Sequence, residues 1–414
     1  MPYRVLALVM AGGKGERLMP LTRYRSKPSV PFGGQYRIVD FVLSNLVNSG
    51  IHQIYVLTQY KAQSLIEHLM RGWARHTGPG QFITPVPAQM RTGETWYRGT
   101  ADAIYQNLHL LDQNRPELVA IFGADHIYKM NIRQMVDFHR RRNSSCTVAC
   151  LPVPLEEAHN YGIVRVDANW RIVEFLEKPE HAPEAAGLPG QALASMGNYV
   201  WSPRPLREFV TADSVRDSAH DFGKTILPEI VKHLPVYAYD FNRNRIPGAD
   251  GDEAGYWRDV GTLESYYEAN LDLKDVQPKL NLYNWEWPIM TAPFHDPPAK
   301  FVFDEEGRRG LAIQSIVGDG CIIAGGLVKD SVLGRNVFVD AGAQVYDSIL
   351  MDHVSVGPGA IIRRAIVDKN VQVPAGDWIG YDPTRERERY HVSDTGIVVV
   401  PKAEDSPETR GGAW

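Results

Sequence analysis

The chain has 414 residues, with 44 lysines and arginines against 49 aspartates and glutamates, and a net charge of −5 at pH 7. This length predicts two domains, and the mildly acidic balance argues against general nucleic-acid binding. Three cysteines exclude a disulfide framework and a cysteine zinc cluster, which predicts reduced thiols and a cytoplasmic location. We expect neither a secretory leader nor a membrane span, because the first residues lead directly into a strand and no apolar run is long enough.

The first predicted element is a buried parallel strand over Val5–Met10. The loop and the segment after it carry three glycines and five cations: Gly12, Gly13 and Gly15, with Lys14, Arg17, Arg23, Arg25 and Lys27. Glycines let backbone N–H groups approach an anion, and this loop stands where phosphates bind in open α/β sheets. The pattern predicts phosphate binding; the alternative is a tight turn with solvated charges.

The loop differs from two common phosphate-binding motifs. A Walker loop needs Ser or Thr after its lysine, but Gly15 follows Lys14. A dinucleotide fingerprint needs a third glycine where Leu18 stands. The sequence therefore favours neither a P-loop ATPase nor a dehydrogenase.

Residues 1–275 alternate short apolar runs with helical patterns. The predicted strands are Val5–Met10, Gln53–Thr58, Leu118–Phe122, Cys146–Leu151 and Val236–Tyr239, and the predicted helices are Val39–Asn48, Ala62–Arg71 and Ile132–Arg141. This alternation predicts an α/β domain with a doubly wound, mainly parallel, Rossmann-like sheet. Residues 78–98 contain prolines and glycines, and we expect them to be irregular.

Three further segments follow. Residues 276–305 are rich in proline and aromatic residues, which predicts a packed linker. Residues 306–400 contain an aliphatic repeat at six-residue steps within a period of about seventeen: Leu333, Val339, Val345; Leu350, Val356, Ile362; Val367, Val373, Ile379. This spacing predicts a left-handed parallel β-helix. Residues 401–414 are expected to form a loose tail.

Two acids are candidate Mg²⁺ ligands. Asp125 follows the predicted strand Leu118–Phe122, and Asp259 precedes a helix. Either could instead be a helix N-cap. Lys178 follows an alternating strand and is either a second phosphate ligand or a surface charge.

Several motifs together carry a family resemblance. They are Ala11–Leu18 with Lys27-Pro28, Pro31–Gly34, Arg37–Phe41, Leu43–Asn45, Asn48–Ile51, Trp96–Ala103, Asp221–Lys224, Trp257–Thr262 and Pro297–Phe301. These motifs span nearly the whole chain. They resemble those of the bacterial glucose-1-phosphate adenylyltransferases, a branch of the sugar-nucleotide pyrophosphorylase family.

The resemblance implies a nucleotidyltransferase that makes ADP-glucose and pyrophosphate from ATP and glucose 1-phosphate with Mg²⁺, in glycogen biosynthesis. It implies phosphate binding and catalysis by Gly12, Gly13, Lys14, Gly15, Arg17 and Lys27, and metal binding by Asp125 and Asp259. It implies adenine-side contacts by Gln89, Tyr97, Gly99 and Thr100, and sugar-phosphate contacts by Gly162, Glu177, Lys178, Ser195 and Tyr199.

The resemblance also implies a homotetramer that glycolytic intermediates regulate, with Arg25 and Arg37 as effector-binding residues. This chain departs from the enteric pattern nearby. Tyr24 replaces a lysine that binds fructose 1,6-bisphosphate, and Pro31 replaces a histidine. The identity of the activator is therefore open.

Three other functions compete. A guanylyl- or uridylyltransferase would keep the chemistry and change the substrate. A catalytically silent regulatory subunit would lose catalytic residues, but Arg17, Lys27, Asp125, Lys178 and Asp259 are present. A hexapeptide acyltransferase needs a coil histidine with a partner, and no partner is evident for the histidine at 353.

Overall fold

The computed structural model describes residues 3–74, 78–91, 95–249, 255–305 and 308–402. The predicted tail beyond residue 402 lies outside the described residues. The chain forms two compact units of discontinuous sequence. The first unit comprises Met1–Gly13, Phe41–Trp257 and Tyr283–Met290; the second comprises Lys14–Asp40, Arg258–Leu282 and the chain from Thr291 onward. The domain boundaries expected at 275 and 305 stay predictions.

The described residues contain α-helices at Ile38–Asn48, Gln63–His68, Thr100–Tyr105, Leu108–Asn114, Ile132–Arg141, Pro203–Ser214, Leu227–His233, Leu263–Leu271 and Pro383–Arg389. Wider turns of π type occupy Leu69–Trp73 and Phe222–Ile226, so the helix predicted over Ala62–Arg71 changes pitch at Leu69. No helix in this part of the chain is both long and apolar enough to cross a membrane.

The first unit is built on one mixed sheet. Its main path runs Ile172–Glu177, Gly162–Val166, Gln191–Trp201, Leu118–Gly123, Val5–Ala11, Gln53–Thr58 and Phe82–Pro87. Two further strands extend it: Cys146–Pro154 pairs with Gln191–Trp201, and Val236–Asp240 pairs with Cys146–Pro154.

The predicted parallel core of this sheet is confirmed. Val5–Ala11 is hydrogen-bonded to Gln53–Thr58 on one side and to Leu118–Gly123 on the other, and both pairings are parallel. The central strand is almost completely buried, as its uninterrupted apolar sequence predicts for a sheet covered on both faces. Beyond Leu118–Gly123 the sheet turns antiparallel through Gln191–Trp201.

Three strands of this sheet were not predicted: Gly162–Val166, Gln191–Trp201 and Phe82–Pro87. Phe82–Pro87 lies within the stretch 78–98 that we expected to be irregular, and it pairs in parallel with Gln53–Thr58. Pro85 and Pro87 argue against a central strand because proline has no N–H to donate to a neighbouring strand. This strand lies at the end of the main path of the sheet and, among the described residues, has no neighbouring strand on its outer side. The missing N–H groups therefore break no hydrogen bond between strands there.

Part of the predicted linker belongs to the first unit. Within Tyr283–Met290, Trp287 is buried and its indole N–H donates to Asn45 Oδ1 at 3.3 Å. Asn48 Nδ2 donates to the Pro288 carbonyl at 2.9 Å, and Met290 N–H donates to Ser44 Oγ at 2.8 Å. These bonds hold the segment against the helix Ile38–Asn48.

The second unit contains the predicted parallel β-helix, formed by three stacked sheets. The first sheet contains Lys300–Val302, Ile322–Ala324, Phe338–Val339, Ser355–Val356 and Gln372–Val373. The second contains Leu311–Ile313, Leu327–Lys329, Gln344–Tyr346, Ile361–Arg363 and Trp378–Ile379. The third contains Ile316–Val317, Val332–Leu333, Ile349–Leu350, Ala365–Val367, Val398–Val400 and His391–Val392.

The six-residue aliphatic pattern forms the interior of this β-helix. Leu333 pairs with Leu350 and Leu350 with Val367, so equivalent residues of successive coils stack in a column. All nine aliphatic residues of the predicted repeat are buried in one cluster. Stacking supplies the core because no single coil can bury its own inner face.

Remaining strands of the described chain are short: His126–Tyr128, Pro31–Phe32, Tyr36–Arg37, Trp257–Asp259, Asp304–Glu305 and Arg308–Arg309. The last two form an antiparallel hairpin that interrupts the first coil of the β-helix.

A column of buried serines ties the coils together. Ser331 Oγ accepts the backbone N–H of Ser348, and Ser348 Oγ accepts the N–H of Ala365, each at 3.1 Å. Each hydroxyl also donates to the carbonyl two residues before its own, that of Lys329 or Tyr346. The hydroxyls satisfy backbone groups that the interior would otherwise leave unpaired.

We expect Ser348→Ala to lower the free energy of unfolding by about 1–3 kcal/mol, because it leaves the buried Ala365 N–H without an acceptor. Chemical denaturation measures the change. The matched control is Ser355→Ala, since Ser355 is partly exposed, lies outside the column and should change stability little. Equal losses in the two variants would contradict a structural role for the column.

The buried histidine His139 predicts a pH dependence of stability in the first unit. Its Nδ1 lies 2.9 Å from Thr147 Oγ1 and its Nε2 lies 3.2 Å from Ser202 Oγ. Burial, with Arg140 acting in the same direction, lowers its pKa from 6.5 to about 4. The unfolded chain therefore binds a proton more readily than the folded chain as the pH falls below 6.5.

We expect this histidine to remove about 3 kcal/mol of stability between pH 7 and pH 4, with the loss beginning as the pH falls through 6.5. Urea denaturation at each pH measures it. His139→Gln should flatten the dependence in that window, and an unchanged slope in the variant would assign the effect to other groups.

Candidate functional site

The register of the parallel strands aligns the ends of four strands in the first unit. Met10 lies beside Leu57 on one neighbour and Gly123 on the other, and Leu57 lies beside Val86. All four strands run in the same direction. The residues that follow them, including Gly12, Gln89 and Asp125, therefore emerge at one edge of the sheet.

The two glycines of the first unit's loop differ in their surroundings. A Cβ on Gly12 would lie 3.3 Å from the Cβ of Gln59, so a side chain there would crowd the next strand end. A Cβ on Gly13 would meet nothing within 4 Å. Gly13 therefore presents its backbone on an open side, as an approach to a phosphate requires.

The predicted adenine-side residues lie in two segments of the first unit. Gln89 is exposed and stands two residues beyond the edge strand. Tyr97 is half-buried, and its hydroxyl accepts a hydrogen bond from Asn107 Nδ2 at 2.9 Å. Burial raises the pKa of Tyr97, so the phenol stays neutral. Gly99 and Thr100 open the helix Thr100–Tyr105.

Asp125 follows the strand Leu118–Gly123 as predicted. Its Oδ1 lies 3.4 Å from His126 Nδ1, and the aspartate side chain is 41% exposed. The His126 ring packs on Trp257 with centroids 4.8 Å apart. A partly exposed carboxylate is the hard oxygen donor that Mg²⁺ prefers, so Asp125 fits the metal role that the sequence assigns to it.

The predicted sugar-side acid Glu177 lies over two glycines. Gly162 and Glu177 are register partners on antiparallel strands. A Cβ on Gly162 would lie 3.0 Å from Glu177 Oε2, and a Cβ on Gly223 only 2.3 Å from the same oxygen. Burial raises the pKa of Glu177 and Asp221 adds to the effect. A carboxylate held this way can accept hydrogen bonds from hydroxyl groups.

Three more predicted sugar-side residues lie nearby in the same sheet. Lys178 adopts a left-handed φ of 47°, and its N–H donates to the Tyr161 carbonyl at 3.0 Å. Ser195 and Tyr199 flank a register shift in the strand Gln191–Trp201. Burial raises the pKa of Tyr199, whereas its hydrogen bond with Ser195 acts in the opposite direction.

In the second unit, the glycine loop continues with Lys14 and Gly15. Lys14 is exposed and lies 3.7 Å from the Glu16 carboxylate. Gly15 has a φ of 66°, and a Cβ there would lie 3.0 Å from both Thr22 Cγ2 and Lys27 Cβ. Gly15 is therefore fixed both by its backbone conformation and by close packing.

The structure brings together three predicted catalytic residues in the second unit. Lys27 Nζ donates to Asp259 Oδ1 at 2.9 Å, and Arg17 Nη2 lies 3.6 Å from Asp259 Oδ2. A Cβ on Gly261 would lie 2.8 Å from that arginine nitrogen. The Lys27 side chain is nearly buried, whereas that of Arg17 is 62% exposed. Asp259 therefore orients both cations, and Arg17 has free surface toward solvent.

The predicted effector residue Arg25 is buried in an ion pair of the second unit. Its guanidinium donates two hydrogen bonds to Asp368, at 2.8 Å and 3.1 Å. Asp368 belongs to the β-helix, directly after the strand Ala365–Val367. A bidentate pair of this kind fixes both the position and the orientation of the guanidinium.

Arg37, the other predicted effector residue, lies near further charges that sequence reasoning did not identify. Burial lowers its pKa, whereas Asp40 and Asp352 raise it. Asp352 accepts from Lys369 Nζ at 2.7 Å and from Arg335 Nη2 at 3.3 Å. Burial opposes ionisation of Asp352, but these cations lower its pKa to about 2. No sequence signal joined these residues, which are far apart along the chain.

Sequence reasoning also assigned no role to the motif Asp221–Lys224. Asp221 Oδ2 accepts from Thr100 Oγ1 at 2.9 Å, and Oδ1 accepts the backbone N–H groups of Gly223 and Lys224. The motif therefore adjoins residues predicted for both substrates. The sequence signal that marked this motif was its match to the family pattern.

Comparisons with known proteins show the family of the chain. The nucleotidyl transferase family model matches residues 6–276, and the model for the GlmU-like C-terminal hexapeptide matches residues 297–400. A glucose-1-phosphate adenylyltransferase of Thermus thermophilus is 55% identical over 96% of this chain and 98% of its own length. Those of Anaeromyxobacter sp. and Deinococcus deserti are 50% and 49% identical, each over 97% of this chain and 98% and 99% of their own lengths. With relatives this similar over nearly its whole length, the chain belongs to the glucose-1-phosphate adenylyltransferase family of nucleotidyl transferases.

Proposed function

We propose that the protein transfers the adenylyl group of ATP to glucose 1-phosphate and so forms ADP-glucose and pyrophosphate for glycogen biosynthesis. The observation that supports this proposal most directly is the arrangement of one edge of the sheet. The glycine loop, Gln89 and Asp125 all emerge from that edge. A phosphate-binding loop and an acid at one strand edge suit phosphoryl or nucleotidyl transfer. The names of the relatives favour ATP and glucose 1-phosphate over other nucleotides and sugars.

The reaction is a displacement at the α-phosphorus of ATP. A phosphate oxygen of glucose 1-phosphate forms the new P–O bond, and the bond to the bridging oxygen of the β-phosphate breaks. The electron pair of that bond leaves with pyrophosphate. Because the attacking oxygen is already ionised, the reaction needs positioning and charge neutralisation rather than a general base.

The charged residues have separate roles in this proposal. Arg17 and Lys27 stabilise the charge that grows on pyrophosphate, and Asp259 holds both cations. Lys178 binds the phosphate of the sugar substrate. Glu177 accepts hydrogen bonds from sugar hydroxyls through its half-buried carboxylate, which lies against Gly162.

Mg²⁺, when bound, supplies positive charge to the phosphate oxygens at the reacting centre. Asp125 and Asp259 are its proposed ligands. Asp125 is suited to bind the metal because its carboxylate oxygens are partly exposed. Asp259 offers a carboxylate whose present partners are the cations of Lys27 and Arg17.

We also propose a homotetramer in the cytoplasm, regulated by small phosphorylated effectors near Arg25 and Arg37. The end strands Lys300–Val302 and Leu311–Ile313 support assembly, because each ends one sheet of the β-helix and they expose Phe301 and Ile313. Three buried free cysteines support a reducing compartment. Light scattering of the purified protein tests the tetramer.

The direct test of the function is pyrophosphate release with ATP and glucose 1-phosphate, compared across nucleotides and sugar phosphates. We expect turnover with ATP to exceed that with GTP or UTP. Adding glycolytic metabolites one at a time tests regulation in the same assay. A preference for another nucleotide would overturn the assignment of the substrate, and absence of turnover would favour a silent subunit.

Asp125→Asn should lower kcat by about a hundredfold or more, because losing one well-placed charge interaction with the transition state lowers kcat by about this factor. The KM for ATP should change less. Steady-state kinetics at saturating Mg²⁺ measure both, with Asp137→Asn on the helix Ile132–Arg141 as the control. A kcat near that of the wild type would remove Asp125 from the reacting centre.

Lys178→Ala should raise the KM for glucose 1-phosphate about ten- to a hundredfold, since a charge-assisted hydrogen bond to phosphate is lost. The KM for ATP should stay near the wild-type value. Lys232→Ala, which removes an exposed lysine of the same unit, is the control. Equal increases in both KM values would make Lys178 a structural residue or an ATP ligand.

A further inference from the structure

A buried pair, His220 and Asp213, lies next to the motif that adjoins both sets of predicted substrate residues. His220 Nδ1 lies 2.9 Å from Asp213 Oδ2, and both side chains are less than a tenth exposed. Ser218 Oγ donates to Asp213 Oδ1 at 2.9 Å and accepts the backbone N–H of His220 at 3.1 Å. The carboxylate can only accept, so His220 carries its proton on Nδ1.

The pair closes an exposed loop onto the body of the unit. Asp213 lies at the end of the helix Pro203–Ser214, and Val215 beyond it is 85% exposed. His220 returns to the interior with a left-handed φ of 50°. A histidine in this conformation needs surrounding contacts to hold it there, and Asp213 and Ser218 provide them.

The backbone carbonyl of His220 caps the helix on the predicted adenine side. It accepts the N–H of Ala101 at 2.9 Å and that of Asp102 at 3.3 Å. These N–H groups belong to the first turn of Thr100–Tyr105, where no residue of the helix can accept them. A Cβ on Gly99 would lie 2.3 Å from this carbonyl oxygen, so the two segments touch directly.

The three residues after His220 extend the contact to the predicted sugar side. Asp221 binds Thr100 Oγ1, and the Phe222 ring lies 5.4 Å from that of Tyr199. Gly223 packs against the Glu177 carboxylate. One stretch, residues 220–223, therefore touches residues assigned to ATP and residues assigned to the sugar phosphate.

We infer that Asp213 and His220 are positioning residues that fix the stretch 220–223 and thereby hold Gly99 and Thr100 in the geometry that binds ATP. The inference rests on the proposed function, because only that function assigns Gly99 and Thr100 to ATP. Neither positioning side chain is among the residues assigned to ATP or to the sugar phosphate. The ATP side depends on the pair directly through the His220 carbonyl, whereas the sugar side depends on it through Phe222 and Gly223.

Asp213→Leu tests the inference, because it removes the acceptor of His220 without changing the residue at positive φ. Amide hydrogen exchange of Ala101 and Asp102 in the ligand-free protein should become about three- to tenfold faster, as expected for the loss of one hydrogen bond. The KM for ATP should rise by a similar factor and more than the KM for glucose 1-phosphate, with kcat within twofold of the wild type. Asp213→Asn keeps an oxygen that can accept from His220, and it should restore most of both properties.

The control for simple destabilisation is His139→Gln, which alters another buried histidine of the same unit. If it causes an equal loss of thermal stability and an equal rise in the KM for ATP, the inference is wrong. Unchanged exchange of Ala101 and Asp102 in Asp213→Leu would also overturn it. Should Asp213→Leu fail to fold, Ser218→Ala removes the supporting hydroxyl and should shift exchange and KM in the same direction by a smaller factor.

The two readouts separate failure of the inference from failure of the proposed function. A wild-type protein that does not make ADP-glucose contradicts the proposed function, and the exchange of Ala101 and Asp102 then still decides whether the pair holds the helix. A wild-type protein that makes ADP-glucose, with KM values unaffected by Asp213→Leu, contradicts the inference alone.

Discussion

The parallel hydrogen bonding on both sides of Val5–Ala11 determines where the polar residues of the first unit lie. Backbone N–H and C=O groups in a buried strand must be paired, and the neighbours Gln53–Thr58 and Leu118–Gly123 pair them. Because these strands run in one direction, their following loops share one edge. The glycine loop and Asp125 are neighbours for this reason, although more than a hundred residues separate them.

In the second unit the main constraint is charge. Lys27, Arg25 and Lys369 have little exposure to solvent, and each lies beside a carboxylate: Asp259, Asp368 and Asp352. A buried cation without a partner would lose its hydration shell without gaining a compensating interaction with the protein. These pairs balance the buried charges and fix the orientation of the cations. An anion that uses Arg25 must therefore compete with Asp368.

Two kinds of side chain stabilise the interior of the β-helix. Aliphatic columns such as Leu333, Leu350 and Val367 fill it, and the hydroxyls of Ser331 and Ser348 pair backbone groups at a corner. The same regularity leaves strand edges at its first coil. Assembly with other copies would cover these edges.

The sequence by itself determined the elements with a strong periodic pattern. The apolar strand Val5–Met10, the helix Ile132–Arg141 and the hexad repeat from Leu333 to Ile379 all form as predicted, because buried strands and stacked coils require those patterns. The candidate residues after strand ends, such as Asp125, were also found from the sequence, since strand direction decides where such residues emerge.

Only the tertiary structure decided the contacts between residues far apart in the chain. It joined Arg25 to Asp368 and Lys27 to Asp259, and it placed the His220 carbonyl on the helix that begins at Thr100. It also made Phe82–Pro87 a strand, because the end of a sheet tolerates the missing N–H groups of proline. Periodicity records the local burial of each element, whereas these pairings depend on distance in space, which no local pattern contains.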